Sequence, residues 1–230
     1  MLFRSLSANN IIEKETYSPQ SPPLFVPPGH FYSPIPSQED INILKSEQCS
    51  QRDRVIDIAG IDLKANQQIE LLKSLKGLYQ DLPFSPNKQE KLRFFYENPA
   101  YSYSDSIFLY CMIRYFQPRQ IIEVGSGYSS CVMLDVNELY FNNSIKTTFI
   151  EPYPDLLISL IKQEDKYSID IRSQKLQEIS LGIFSSLNEN DILFIDSTHI
   201  LKFNSDVNYI LSSILPSLDR KSTRLNSSHR

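Results

Sequence analysis

Residues 121–130 read Ile121-Ile122-Glu123-Val124-Gly125-Ser126-Gly127-Tyr128-Ser129-Ser130. An apolar run ends in an acid, two glycines follow one residue apart, and a helix-compatible segment comes next. This is the order strand, tight turn, helix N-terminus. The chain has six glycines in 230 residues, and two of them fall here. Glycine is required where a backbone turns sharply or lets a ligand approach closely. The helix start behind it offers unpaired N–H groups and a partial positive charge. In α/β proteins such a turn holds a nucleotide-like cofactor.

Outward from this turn, strands and helices alternate. Upstream, Tyr103 to Phe116 predicts a helix with Phe108, Cys111, Met112 and Tyr115 on one face and Ser104 or Asp105 as its cap. An earlier helix is expected around Leu63, Ile69, Leu72, Leu75 and Tyr79. Downstream, Val132, Val136 and Leu139 mark a helix, and Lys146–Glu151 is a second strand ending in an acid. A helix over 154–163 has Leu157, Ile158 and Ile161 inward, and Ile169–Ile171 is a short strand. Leu176, Ile179, Ile183, Phe184 and Leu187 fit one helical face. Asp191–Asp196 is a fourth strand, apolar on both sides, as parallel strands between helix layers are. Val207, Ile210, Leu211, Ile214, Leu215 and Leu218 line a last helix. The fold class predicted is α/β, a Rossmann-like doubly wound and mostly parallel sheet.

Seven of the fourteen prolines lie in the first 36 residues, so residues 1–62 are expected to form an extended Pro-rich arm. His30 and Tyr32 either close over the site or clasp that arm to the body. Residues 63–220 make the α/β domain. Residues 221–230 have no apolar period and read as a non-native tail; about four strands are present before it. The expectation is a sheet continuing past about Asp219 in the native chain.

Composition bounds the function. Hydrophobic residues make up 41% and charged residues 22%, as in a soluble globular protein. No apolar run approaches the roughly 18–20 residues that cross a bilayer, and no signal-peptide core opens the chain. Three widely spaced cysteines form no CxxC pair. A reduced, cytoplasmic protein without a membrane role is expected. The net charge of −4 includes four basic residues in 220–230; the rest carries 19 basic against 27 acidic residues, or −8. An acidic body argues against nucleic acid as the main partner. A small molecule is the expected substrate, and oligomeric state is not legible.

Three acids end predicted strands: Glu123, Glu151 and Asp196. Open parallel sheets bind ligands beyond those ends. Glu151, 28 residues after Glu123, is placed to accept the ribose hydroxyls of a nucleoside. Asp196, His199 and Asp206 form either a proton-accepting group or part of a divalent metal site. Asp206 fits equally well as a first-turn acid of the last helix, and His199 as a loop histidine with one structural hydrogen bond.

Glu123-Val-Gly125-Ser-Gly127, Glu151 and Asp196 resemble the motifs of class I S-adenosylmethionine-dependent methyltransferases. Residues 191–199, Ser205-Asp206-Val207, Gly29–Pro34 and Tyr101–Asp105 narrow the resemblance to a bacterial small-molecule subfamily. It implies S-adenosyl-L-methionine as cofactor, with Gly125, Ser126 and Gly127 passing under its methionyl part. It further implies Glu123 at the amino group, Glu151 at the ribose, Gln177 near adenine and Asp196 beside the methyl group. His199 and Asp196 are the catalytic candidates for methyl transfer to an oxygen; Asp196, His199 and Asp206 are the metal candidates. A nicotinamide-dependent oxidoreductase is the competing enzyme reading. Against it, the third glycine of its motif is replaced by Ser130, where tight helix–strand packing asks for Gly or Ala. A nucleotide-binding fragment without catalysis is the third reading.

Overall fold

A computed structural model describes residues 26–30, 33, 35–51 and 62–218. Most of the Pro-rich stretch, Tyr32 and the tail at 221–230 lie outside the described residues. The chain divides into two units, Met1–Leu63 and Lys64–Arg230. Within the first, the arm read from the sequence contains a helix, α1 (Gln38–Gln51). Ser37 starts it: Ser37 Oγ accepts from the Asp40 amide at 3.1 Å while Asp40 accepts from the Ser37 amide at 2.9 Å. This reciprocal cap, Ser-x-x-Asp, was readable in the sequence.

The second unit is built on four parallel strands in the order β3-β2-β1-β4. They are β1 (Gln120–Val124), β2 (Lys146–Ile150), β3 (Asp170–Arg172) and β4 (Ile192–Ile195). β1 sits centrally, pairing Glu123 with Phe149 on one side and with Phe194 on the other. The order of connection reverses at β1, so β1 and β4 flank a switch point where a crevice opens beyond the strand ends.

Side chains alternate across the sheet and feed two cores. On one face Ile121, Phe149, Ile192 and Phe194 pack with α3 (Tyr103–Phe116) and α4 (Tyr128–Phe141). On the other, Ile122, Val124, Ile150 and Leu193 pack against Leu176, Ile179, Phe184, Ile210 and Ile214. Asp191 fixes the starts of β1 and β4 by accepting from the amides of Arg119 and Gln120, each at 3.0 Å.

Several helix faces differ from the pattern read in sequence. α2 (Ala65–Leu75), followed by a 3-10 turn at Lys76–Asp81, buries Leu75, whereas Ile69, Leu72 and Tyr79 are exposed. In α3 the buried arc is Leu109–Ile113; Phe108 and Tyr115 are exposed because the helix docks through Tyr110 onto the chain at 81–96. Tyr110 donates to the Asp81 carbonyl at 3.0 Å and packs edge-on to Phe84. α3 begins after Ser102, whose side chain makes no cap, and neither Ser104 nor Asp105 is its N-cap. α5 (Asp155–Leu160) buries Leu157 but leaves Ile158 exposed. The expected single helix over 176–187 is a 3-10 turn, Leu176–Glu178, and a four-residue helix, α6 (Gly182–Ser185). Ile179 between them is extended, with ψ of 132°. The last helix, α7, starts at Asp206–Tyr209, widens into a π turn at Ile210–Ile214 and ends at Leu215–Ser217. Among the described residues no helix is long and apolar enough to cross a membrane.

Candidate functional site

The glycine turn is fixed by sterics. Gly125 has φ +83°, and a Cβ there would lie 1.9 Å from the Asp196 carbonyl oxygen. Its amide donates to Ile150 O at 3.0 Å, so the turn is tied to the ends of β2 and β4 together. At Gly127 a Cβ would meet only Leu156 Cδ2, at an ordinary 3.5 Å. The protein itself therefore demands the first glycine far more than the second.

Glu123 departs from the strand-tip position expected of it. As the penultimate residue of β1 it points to the face covered by α4, between Phe149 and Phe194, and is fully buried. Ser129 Oγ donates to one carboxylate oxygen at 2.5 Å and Ser130 Oγ to the other. Ser130 Oγ also accepts from the Gly127 amide at 3.1 Å. Loss of hydration raises the Glu123 carboxyl to about 8, against the opposing pull of the two serine hydroxyls; the nearby charges of Asp196 and Glu151 add to the rise. Glu123 thus braces the turn from below.

Beyond the strand ends lies a cavity of about 560 Å³, within the size range of small-molecule sites. Val124, Ile150 and Leu176 contribute apolar walls; Gly125, Glu151, Gln177, Asp196 and Asp206 contribute polar ones. Glu151 accepts from the Ser126 amide at 3.3 Å and from the Tyr153 amide at 2.9 Å. Those two bonds leave half of a carboxylate's acceptor sites for hydroxyls of a ligand. Ser126 Oγ, in the same turn, is buried with no hydrogen-bond partner among the described residues, a position that asks for one. Gln177 Nε2 donates to Asn204 O at 2.7 Å, joining the β3 side of the cavity to the β4 side.

The loop after β4 is held at both ends. Asp196 N donates to Val124 O at 2.9 Å. Asp206 accepts from Thr198 N at 2.9 Å and Thr198 Oγ1 at 2.6 Å. Partial burial opposes its ionisation, but these bonds, with those from Val207 and Ser197, hold its carboxyl below the usual range. His199 adopts φ +59°, uncommon for a non-glycine residue. It brings Nε2 to 3.2 Å from Asp196 Oδ1.

Of the residues singled out from sequence, Gly125, Glu151, Gln177, Asp196 and Asp206 line one cavity. Ser126 adjoins it through Glu151, and His199 is paired to Asp196, half-exposed. Glu123 and Gly127 support the turn instead of lining the wall. Among the described residues no group of three or more His, Cys, Asp and Glu side chains is disposed to hold an ion. Asp206 is engaged with Thr198 and stands in the first turn of α7, as read from the sequence; the N-cap is Ser205, which accepts from the Asn208 amide. Sequence reasoning missed Tyr153, Lys175 and Lys202, which carry no motif, and gave Thr198, inside the 191–199 motif, no role. It also missed the bracing serines, although Ser129 and Ser130 stand in the first turn of a helix six and seven residues after an acid.

No protein-family model matches the chain. An uncharacterized protein of Archaeoglobus fulgidus is 33% identical over 171 residues, 72% of this chain and 75% of its own length. Among solved structures, a SAH-bound methyltransferase of Podospora anserina has a TM-score of 0.38 at 16% identity, covering 85% of this chain and 72% of that one. A methyltransferase of Geobacter sulfurreducens has a TM-score of 0.35 at 12% identity, with coverages of 83% and 79%.

Proposed function

We propose that this chain, which belongs to one family with the uncharacterized Archaeoglobus fulgidus protein, is an S-adenosylmethionine-dependent methyltransferase acting at an oxygen of a small molecule. The observation that carries the reading is a sterically compulsory Gly125 and a half-used Glu151 carboxylate on one cavity wall, with the unsatisfied Ser126 Oγ in the turn that Glu151 holds. These groups suit an adenosyl ligand bearing ribose hydroxyls. When bound, S-adenosylmethionine supplies an electrophilic methyl group on a sulfonium.

The residues then have distinct tasks. Glu151 accepts the ribose hydroxyls, and Ser126 Oγ gains the partner it lacks. The acids Asp196 and Glu151 on the walls favour a cationic ligand. Gln177 borders the adenine region from the β3 side. The Asp196 carboxylate selects the His199 tautomer with its proton on Nε2. Nδ1 is left to receive the acceptor's hydroxyl proton. Little further chemistry is asked of the protein, since alignment of acceptor and donor supplies much of the rate.

Calorimetry with S-adenosylhomocysteine and with NAD tests this. Micromolar binding of the former and none of the latter is expected, with Glu151→Ala weakening it by roughly 1–3 kcal/mol. Binding of NAD alone would replace this reading with the oxidoreductase one.

A further inference from the structure

The cavity walls carry charges that a cationic cofactor does not use. Each acid there has an internal partner: Glu151 the Ser126 and Tyr153 amides, Asp196 the His199 ring, Asp206 Thr198. The two lysines on the same walls, Lys175 after β3 and Lys202 in the β4–α7 loop, have no ion-pair partner among the described residues. Lys202 is also positioned. Its amide donates to Ser205 Oγ at 3.2 Å and its carbonyl accepts from Ser205 N at 3.1 Å. The neighbouring Asn204 carbonyl is held by Gln177. The turn that presents the ammonium is thus anchored on both sides of the cavity.

Apolar surface stands next to that ammonium. Tyr153 and Ile200 line the cavity yet are 77% and 58% exposed; Leu201 and Phe203, on the Lys202 turn, are 64% and 99% exposed. Large apolar side chains left in water at a cavity mouth mark a surface that a ligand covers. Lys202, exposed on the same cavity wall with no ion-pair partner among the described residues, adds a preference for negative charge there.

We propose that the second substrate of this site is a small aromatic acid. Its ring lies against Tyr153 and Ile200, and its carboxylate, sulfonate or phosphate pairs with Lys202. This rests on the methyltransferase reading for the assignment of the ligand as acceptor, not for the anion preference itself. Cavity electrostatics then divide the two substrates: the acids serve the cationic donor, Lys202 the anionic acceptor.

The test uses a matched pair of fluorescent probes on the full chain, 8-anilinonaphthalene-1-sulfonate and its uncharged counterpart N-phenyl-1-naphthylamine, titrated with and without S-adenosylhomocysteine. The sulfonate should bind about fivefold more tightly than the uncharged probe, the scale of one partly exposed ion pair. Lys202→Ala should remove that advantage, Lys202→Arg should keep it, and neither should change the affinity for the uncharged probe or for S-adenosylhomocysteine. Equal binding of the two probes, or a sulfonate preference untouched by Lys202→Ala, overturns the proposal. So does a loss of S-adenosylhomocysteine affinity in Lys202→Ala, which would assign the lysine to the donor. Failure of S-adenosylhomocysteine to bind any variant would sink methyl transfer, while the probe titrations without it still decide the anion preference.

Discussion

At the scale of single residues, the two glycines of the turn are not equivalent. Gly125 combines a left-handed backbone with a Cβ position 1.9 Å from the carbonyl oxygen of Asp196, just beyond the neighbouring strand β4. An alanine there must push β4 away from β1, so Gly125→Ala should lose roughly 2–4 kcal/mol in urea denaturation. Gly127→Ala meets ordinary contact and should cost less than half as much; equal costs would mean that the turn relaxes freely. Glu123 makes a different prediction. Its folded carboxyl titrates near 8 against an ordinary 4.5, because burial disfavours the charge. Between those values the native state holds a proton that the unfolded chain has released, so this group's contribution to stability falls as pH rises through that window. Glu123→Gln keeps the shape and removes the titration. From about pH 5 to about pH 8.5 its stability relative to the wild type should therefore rise by roughly 2–4 kcal/mol. A pH-independent difference would show that the carboxyl is charged throughout.

At the scale of elements, the N-terminal half of the α/β unit is locked to α4 by one buried cation. Arg93 is 3% exposed and contacts three acids. Its guanidinium donates to Asp135 at 2.8 Å and Glu138 at 2.7 Å, and through two nitrogens to Asp165. The amides of Arg93 and Phe94 also donate to Asp135, at 2.9 and 2.8 Å. Burial works against Asp135 and raises its carboxyl despite these bonds, so its charge depends on the guanidinium. Arg93→Ala strands two buried carboxylates and should cost roughly 3–5 kcal/mol of thermal stability; a loss below 1 kcal/mol would mean that water replaces the cation. This network explains where reading the sequence succeeds and where it fails. The strands at 120–124, 146–150 and 192–195 were legible because apolar runs between helix layers are short and bounded by turn residues. Glycine placement made the turn legible too. The Arg93 cluster joins residues 42 and 72 positions apart, and no local period announces it. Helix faces misled for the same reason: α3 docks through Tyr110 onto residues brought there by the fold, so its exposed Phe108 and Tyr115 look inward-facing in sequence alone. Glu123 was legible as a special acid, but its side depended on strand alternation, which sends it under the turn and not to the tip.

At the scale of the whole α/β unit, the site belongs to a junction between strands. Gly125 N bonds Ile150 O, Asp196 N bonds Val124 O, and Gln177 bonds Asn204, so three strand ends share one set of restraints. β3 lies at one margin, three residues long, with none of them buried. Local opening should therefore start at β3 and last reach β1, which is paired on both sides. A ligand seated in the cavity must stabilise these ends together, because it binds only when all are in place. Hydrogen exchange with and without S-adenosylhomocysteine should show slowed amides at 125–128, 151–153 and 197–206 in concert, and no change in α3. Protection confined to 125–128 would leave the loop after β4 outside the binding unit and remove Asp196 and His199 from the chemistry. Protection of all three segments, with β3 still opening first, would fit a ligand that closes the switch point while the sheet margin stays free.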